Sequence, residues 1–183
     1  MIRSRLVAFE SSTLQTIDSN KLIDHTALSR AAVSVVERLC DNGYSAFIVG
    51  GAVRDLLLGK RPKDFDVATN ATPEQVVALF RGSHIIGRRF QIVHVRMGRE
   101  IIEVTTFRGH HGDEAPQTAV KSHKGLLLRD NVYGTLDQDA ARRDLTINAL
   151  YLDPVNKLIL DDLDGIEDIR QRLVRVIGDP ATR

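Results

Sequence analysis

Asp64 and Asp66 stand on either side of Phe65 in the run Lys63-Asp64-Phe65-Asp66-Val67. Read as a strand over 64–67, residues i and i+2 face one side, which sets the two carboxylates about 6–7 Å apart at their Cα atoms. Paired acids of this kind suit a hard divalent cation, Mg²⁺ or Mn²⁺, which takes one or two carboxylates and completes its shell with water and substrate phosphates. Solvated acids on an edge strand have the same pattern, so the pair gains meaning from its neighbours. Upstream, Phe47-Ile48-Val49 ends in Gly50-Gly51, where the missing side chains let a triphosphate approach backbone N–H groups at the start of a short helix. Arg54, one helical turn further on, adds positive charge to that phosphate site. A third acid is usual where an attacking oxygen needs a base or a further ligand. Glu103 in a strand and Asp144 beside Arg142 and Arg143 are both candidates, and spacing does not choose between them.

The elements that must position these groups follow from periodicity. Residues 1–28 lack a clean period and are read as an N-terminal arm of low order. Ser29 caps a helix with the stripe Ala32, Val35, Val36, Leu39 and Cys40. A strand over 44–49, a helix over 53–58 stopped by Gly59, and the strand carrying the acids come next. Thr72-Pro73-Glu74-Gln75 is a capping box with proline at the first helical position, opening a helix that runs to about Gly82. Residues 91–97 and 100–107 form a hairpin about Gly98-Arg99, with Ile101, Glu103 and Thr105 on one face and Ile102, Val104 and Thr106 on the other. Residues 108–124 read as a polar loop, and its His110 and His111, with His123, have no metal-ligand spacing. A helix over 137–148, short strands at 150–152 and 158–160, an acidic turn at 161–165 and a helix over 166–173 complete the chain. The whole predicts one α/β (α+β) domain over 29–183, with a small mixed sheet and helices on one face.

The composition narrows the function classes. The chain has 183 residues, 43% of them hydrophobic and 27% charged, a normal globular balance. Its net charge is only +1, so nucleic-acid contact must come from local patches such as Lys60-Arg61-Lys63 and Arg88-Arg89. Aromatics are 5% and tryptophan is absent, which disfavours recognition through many base-stacking platforms. The single cysteine, Cys40, excludes a disulfide framework and is expected as a small buried hydrophobe. No apolar run reaches the roughly 20 residues of a membrane span, and no signal-like segment opens the chain, so a reducing cytoplasm is the expectation.

With these residues in place, the segment VGGAVRDLLLGKRPKDFDVATNATPEQV followed by RRDLTINAL at 142–150 resembles the head domain of polymerase-beta-like nucleotidyltransferases. Within them the chain is similar to the bacterial class of poly(A) polymerases and CCA-adding tRNA nucleotidyltransferases. The resemblance runs from about Ala31 to Arg183 and includes DDLDGIEDIRQRLVRVIGDP. The stretch IIGRRFQIVHV at 85–95 resembles the poly(A) polymerase branch more than the CCA-adding one. The resemblance implies Asp64 and Asp66 as catalytic metal ligands and Asp144 as the third acid. It implies that Arg142, Arg143 and Asn148 hold the ribose and phosphates of the nucleotide, and leaves Glu103 a supporting carboxylate. The implied reaction is template-independent transfer of AMP from ATP to an RNA 3′ end, with CCA addition as the alternative. In the family the head continues into Arg-x-x-Glu-Asp-Pro and a helical neck, body and tail, which select the base and grip the RNA. This chain ends at Arg183, so a further C-terminal region or a partner chain is expected to supply them. A catalytically silent nucleotide- or RNA-binding head is the reading from a different class. A metal-dependent phosphohydrolase is weaker, since it gives the Arg-Arg-Asp turn no task.

Overall fold

A computed structural model describes residues 15–88, 90–109 and 133–178. His110, His111, His123, Arg89 and most of the expected polar loop lie outside the described residues. The thirteen regular elements are β1 (Gln15–Asp18), α1 (Arg30–Asp41), β2 (Ala46–Val49), α2 (Gly51–Leu57), β3 (Asp66–Thr69), α3 (Pro73–Leu79), β4 (His84–Ile86), β5 (Ile92–Met97), β6 (Glu100–Thr106), α4 (Leu136–Ala141), β7 (Leu150–Asp153), β8 (Leu158–Asp161) and α5 (Gly165–Gln171). The strands form one mixed sheet in the order β1-β8-β7-β2-β3-β6-β5-β4. The β3–β6 pair is parallel, and the other six pairings are antiparallel.

Residue type explains where the layers sit. Every residue of β2 is buried, because both faces of this central strand are covered. Ala46 and Ile48 join the larger core with Ala32, Val35, Val36 and Leu39 of α1, Val53 of α2, Val76 of α3 and Ile166 of α5. Phe47 and Val49 point the other way, into a smaller cluster with Phe107, Tyr151 and Leu136 and Ala140 of α4. The expected one-sided helix layer therefore holds for α1, α2, α3 and α5, while α4 lies on the opposite face. β6 alternates as its sequence implies, with Ile102, Val104 and Thr106 buried and Ile101 and Glu103 exposed.

Caps mark the helix starts. Ser29 Oγ accepts from the Ala32 amide at 3.1 Å, and both halves of the Thr72–Gln75 capping box are formed. A second capping box, Thr135–Gln138, opens α4. At α5 the cap comes from outside the helix: Asp161, buried at the end of β8, accepts from the amides of Gly165 and Ile166, both at 2.8 Å.

Several boundaries differ from the sequence reading. Residues 15–28 are no loose arm: β1 pairs with β8, and Asp18 and Asp24 cap 3₁₀ turns at Ser19–Lys21 and His25–Ala27. β3 begins at Asp66, so Asp64 precedes the strand and the i, i+2 argument does not apply to the pair. The helix expected over 137–148 ends at Ala141, and a 3₁₀ turn at Thr146–Asn148 follows. α3 stops at Leu79, short of Gly82. Cys40 is exposed, because the buried stripe of α1 is completed by Leu39 and leaves its neighbour outward. Among the described residues no helix is long and apolar enough to cross a membrane.

Because Asp161 satisfies two amides in a buried setting, Asp161→Ala leaves both unpaired. It should lower unfolding stability by about 2–3 kcal/mol, seen as a lower urea midpoint by circular dichroism with an unchanged native spectrum.

Candidate active site

Each half of the site is set by one sheet pairing. The parallel register of β3 and β6 puts Asp66 beside Glu103. The antiparallel register of β2 and β7 puts Val49 beside Tyr151. Between these positions opens a cavity of about 270 Å³, lined on its acidic side by Asp66 and Glu103 and on its basic side by Arg108, Arg142 and Arg143, with Asp139 among the arginines.

On the acidic side Asp66 is exposed as a residue, yet its carboxylate lies in the mouth of the cavity. That partial burial, and then the charge of Glu103, push its pKa above the usual aspartate value; Arg143 pulls it back in part, and Asp64 adds to the rise. Asp64 is thus electrostatically coupled to Asp66, although it lies ahead of the strand. On the basic side, burial and the neighbouring Arg142 charge lower the Arg108 guanidinium. The cavity therefore holds an acid short of positive partners facing an arginine cluster short of negative ones.

Arg143 is held firmly. Its Nε donates to Tyr151 Oη at 2.9 Å, its Nη2 to Asp139 Oδ2 at 3.2 Å and its Nη1 to the Asn148 carbonyl at 3.4 Å. Tyr151 Oη donates to the same Asp139 oxygen at 2.6 Å, and the other Asp139 oxygen accepts from the Arg108 amide at 3.0 Å. Burial pushes the Tyr151 hydroxyl up, with Arg143 opposing and Asp139 reinforcing the shift, so tyrosine stays a donor. Arg142 donates to the Gly109 carbonyl.

The glycine pair lies between two guanidiniums. A Cβ on Gly50 would stand 3.4 Å from Arg143 Nη1, and one on Gly51 would stand 3.4 Å from Arg54 Nη2. Gly50 also has φ +73° and ψ −136°, a conformation closed to side-chain-bearing residues. Since α2 has only seven residues, attraction for an anion here comes from the two arginines more than from a helix dipole. Arg54 is aimed by Asp55, whose Oδ1 it meets at 2.8 Å, and by Asn148, whose Oδ1 accepts from its Nη1 at 2.9 Å.

The sequence-derived residues fall into two groups. Asp66, Arg142 and Arg143 meet in the cavity with Glu103. Asp144 is exposed in a second group, where it accepts from the Leu145 amide at 2.8 Å and from Asn148 Nδ2 at 3.3 Å, and so connects to Arg54 through Asn148. Asp144 is not among the residues lining the cavity. Two functional residues escaped the sequence reading. Asp139 was visible in principle, since it precedes Arg143 by four residues at helical ion-pair spacing. Tyr151 gave no signal, being one apolar-looking position in a strand.

The family described as the poly A polymerase head domain matches residues 46–175. The chain belongs to that family. It is 55% identical over 157 residues to poly(A) polymerase I of Haemophilus influenzae, covering 85% of this chain and 35% of that protein. It is 40% identical over 154 residues to a CCA-adding enzyme of Lactobacillus helveticus, covering 83% and 36%. The structure of the Bacillus stearothermophilus CCA-adding enzyme in complex with CTP superposes with a TM-score of 0.64 at 36% identity, over 81% of this chain and 33% of that one. The chain spans about a third of the length of the curated relatives it matches.

Within this poly(A) polymerase head domain, the donor set can be tested for a divalent cation. Among the described residues no three His, Cys, Asp or Glu side chains gather as a complete protein-only site. Two carboxylates with open positions are instead what a cation shared with substrate phosphates requires. The raised Asp66 carboxyl, crowded by Glu103 and Asp64, is the group a cation would relieve. Asp64 and Asp66 therefore fit the role of ligands.

For stability, an acid whose folded pKa lies above its unfolded value binds protons more tightly when folded. The native state then loses stability as pH rises through the interval between the two. Asp66→Asn removes that penalty. The variant should melt above wild type at pH 7 in the absence of divalent cations, and the gap should close as the pH is lowered until Asp66 is itself protonated. Thermal melts followed by circular dichroism at several pH values check this.

Proposed function

We propose that the chain carries the chemistry of a template-independent, metal-dependent transfer of AMP from ATP to the 3′ end of RNA, releasing pyrophosphate. The observation that carries the reading is the charge arrangement of one cavity: an acid pair with raised proton affinity across from Arg108, Arg142 and Arg143. It suits a polyanion bound together with a cation. The higher identity to a poly(A) polymerase I than to the CCA-adding relatives supports adenylate as the unit transferred.

In this reading Arg143, fixed by Asp139 and Tyr151, holds the triphosphate in one place with Arg142 and Arg108. Gly50 and Gly51 leave room for phosphate oxygens to reach Arg143 and Arg54. Asn148, bridging Arg54 and Asp144, orients the ribose side of the nucleotide. The RNA 3′ oxygen forms a bond to the α-phosphorus while the bond from that phosphorus to the bridging oxygen of the β-phosphate breaks. A divalent cation held by Asp64 and Asp66, Mg²⁺ or Mn²⁺, would supply activation of the attacking hydroxyl and neutralise the leaving charge. Rate then comes from positioning and electrostatics, as in phosphoryl transfer generally. CCA addition is the second reading, favoured by the superposition on a CTP complex.

The deciding assay is extension of a short RNA and of a tRNA lacking its terminal CCA, each ribonucleotide offered singly with Mg²⁺. ATP alone extending the short RNA supports polyadenylation, whereas CTP incorporation on the tRNA supports the alternative. ATP binding with no extension would mark a silent head. Asp64→Ala and Asp66→Ala should each abolish extension with the far-ultraviolet spectrum unchanged, and full activity in either would remove the metal assignment. Tyr151→Phe takes one partner from Arg143 and should raise the KM for ATP several-fold with a smaller effect on kcat; unaltered ATP kinetics would count against the arginine's role.

A further inference from the structure

The stretch IIGRRFQIVHV at 85–95 has no part in the transfer site described above, yet it supplies most of β4 and the first half of β5. The sheet register turns that stretch toward the site. His84 pairs with His94, His94 pairs with Glu103, and Glu103 pairs with Asp66. Residues paired across adjacent strands share a face. Four titratable side chains therefore stand in a row across four strands, and the row ends at the cavity.

Within the row, His94 Nε2 lies 3.3 Å from Glu103 Oε1. That nitrogen is buried and makes no aligned hydrogen bond in this geometry. The His84 ring packs edge-on against the His94 ring, with centroids 5.7 Å apart, which restrains the imidazole from the far side. Glu103, by contrast, is half exposed, so its carboxylate can rotate the small amount that aligns the bond. A buried ring nitrogen has reason to find a partner, and the carboxylate beside Asp66 is within reach.

We propose that His94 is a positioning residue: it donates from Nε2–H to Glu103 and so holds that carboxylate at the cavity beside Asp66, with His84 backing its ring. The stretch at 85–95 then acts on the reaction from two strands away, through the direction of one side chain. The inference rests on the transfer reading for its kinetic consequence and stands on the His94–Glu103 contact for its structure.

Two measurements on the 183-residue chain test it. In primer extension with ATP, His94→Phe should lose about 10- to 100-fold in kcat, the range typical of groups that orient a ligand, with the KM for ATP and the melting temperature little changed. His94→Gln, whose side-chain amide can still donate to Glu103, should recover most of the loss. The double variant H94F/E103Q should be no slower than E103Q alone. A wild-type kcat in His94→Phe, or multiplicative losses in the double variant, would overturn the proposal. Independently of activity, the His94 imidazole ¹⁵N resonance should move on Glu103→Gln. An unmoved resonance also overturns the proposal. If the unmodified chain extends no RNA with any nucleotide, the transfer reading fails, and the resonance alone decides whether His94 holds Glu103.

Discussion

Asp66 and Glu103 are neighbours because β3 and β6 run parallel, and the site's electrostatics grow from that pairing. Adjacent like charges on a sheet are unfavourable by a few tenths of a kcal/mol up to about 1 kcal/mol. Here the register is fixed from the other face, where Val67 pairs with Val104 and both are fully buried. A slip by one residue would turn Val104 outward and Glu103 into the core. Hydrophobic burial on one face thus holds two carboxylates together on the other, and their mutual repulsion leaves Asp66 in need of a cation.

The compensating charges are organised by one anion. Asp139 sits under the arginines and accepts from Tyr151, from Arg143 and from the Arg108 amide. Its buried carboxylate is saturated by those donors, which frees the cavity-facing edge of the arginine cluster for a ligand. The asymmetry is informative: the arginines have a protein anion that positions them, whereas the acids have no protein cation of equal standing. Arg143 reaches Asp66 only as a partial counterweight.

Much of this could be read from sequence, for identifiable reasons. The glycine pair after an apolar strand, the Thr72 capping box and the 100–106 alternation are local signals, and they are where the sequence places them. Asp139 lay in plain view at four residues from Arg143, but helical ion pairs are common enough that spacing alone does not select one. Tyr151 is functional through its hydroxyl while its ring packs with Phe47, and nothing local distinguishes it from a core aromatic. Glu103 could be flagged as a charge on a strand, but its neighbour is set by a parallel pairing whose partners lie far apart in the chain. Residues 15–18 were missed because a four-residue strand gains its order from β8, at the other end of the molecule.

The short connection from α4 to β7 carries a consequence for how this chain can vary in length. Asp139 and Arg143 meet across one turn, Asn148 reaches Arg54 from the 3₁₀ turn beyond, and Tyr151 returns to Asp139 from the strand. An α-helix advances about 100° per residue, so one residue inserted between Asp139 and Arg143 would swing the guanidinium away from both Gly50 and Tyr151. Substitution within 139–151 can be partly absorbed by a neighbouring side chain, whereas an insertion or deletion resets every contact downstream at once. Insertions are better tolerated beyond the hairpin turn at Gly98-Arg99, whose residues take no part in the site.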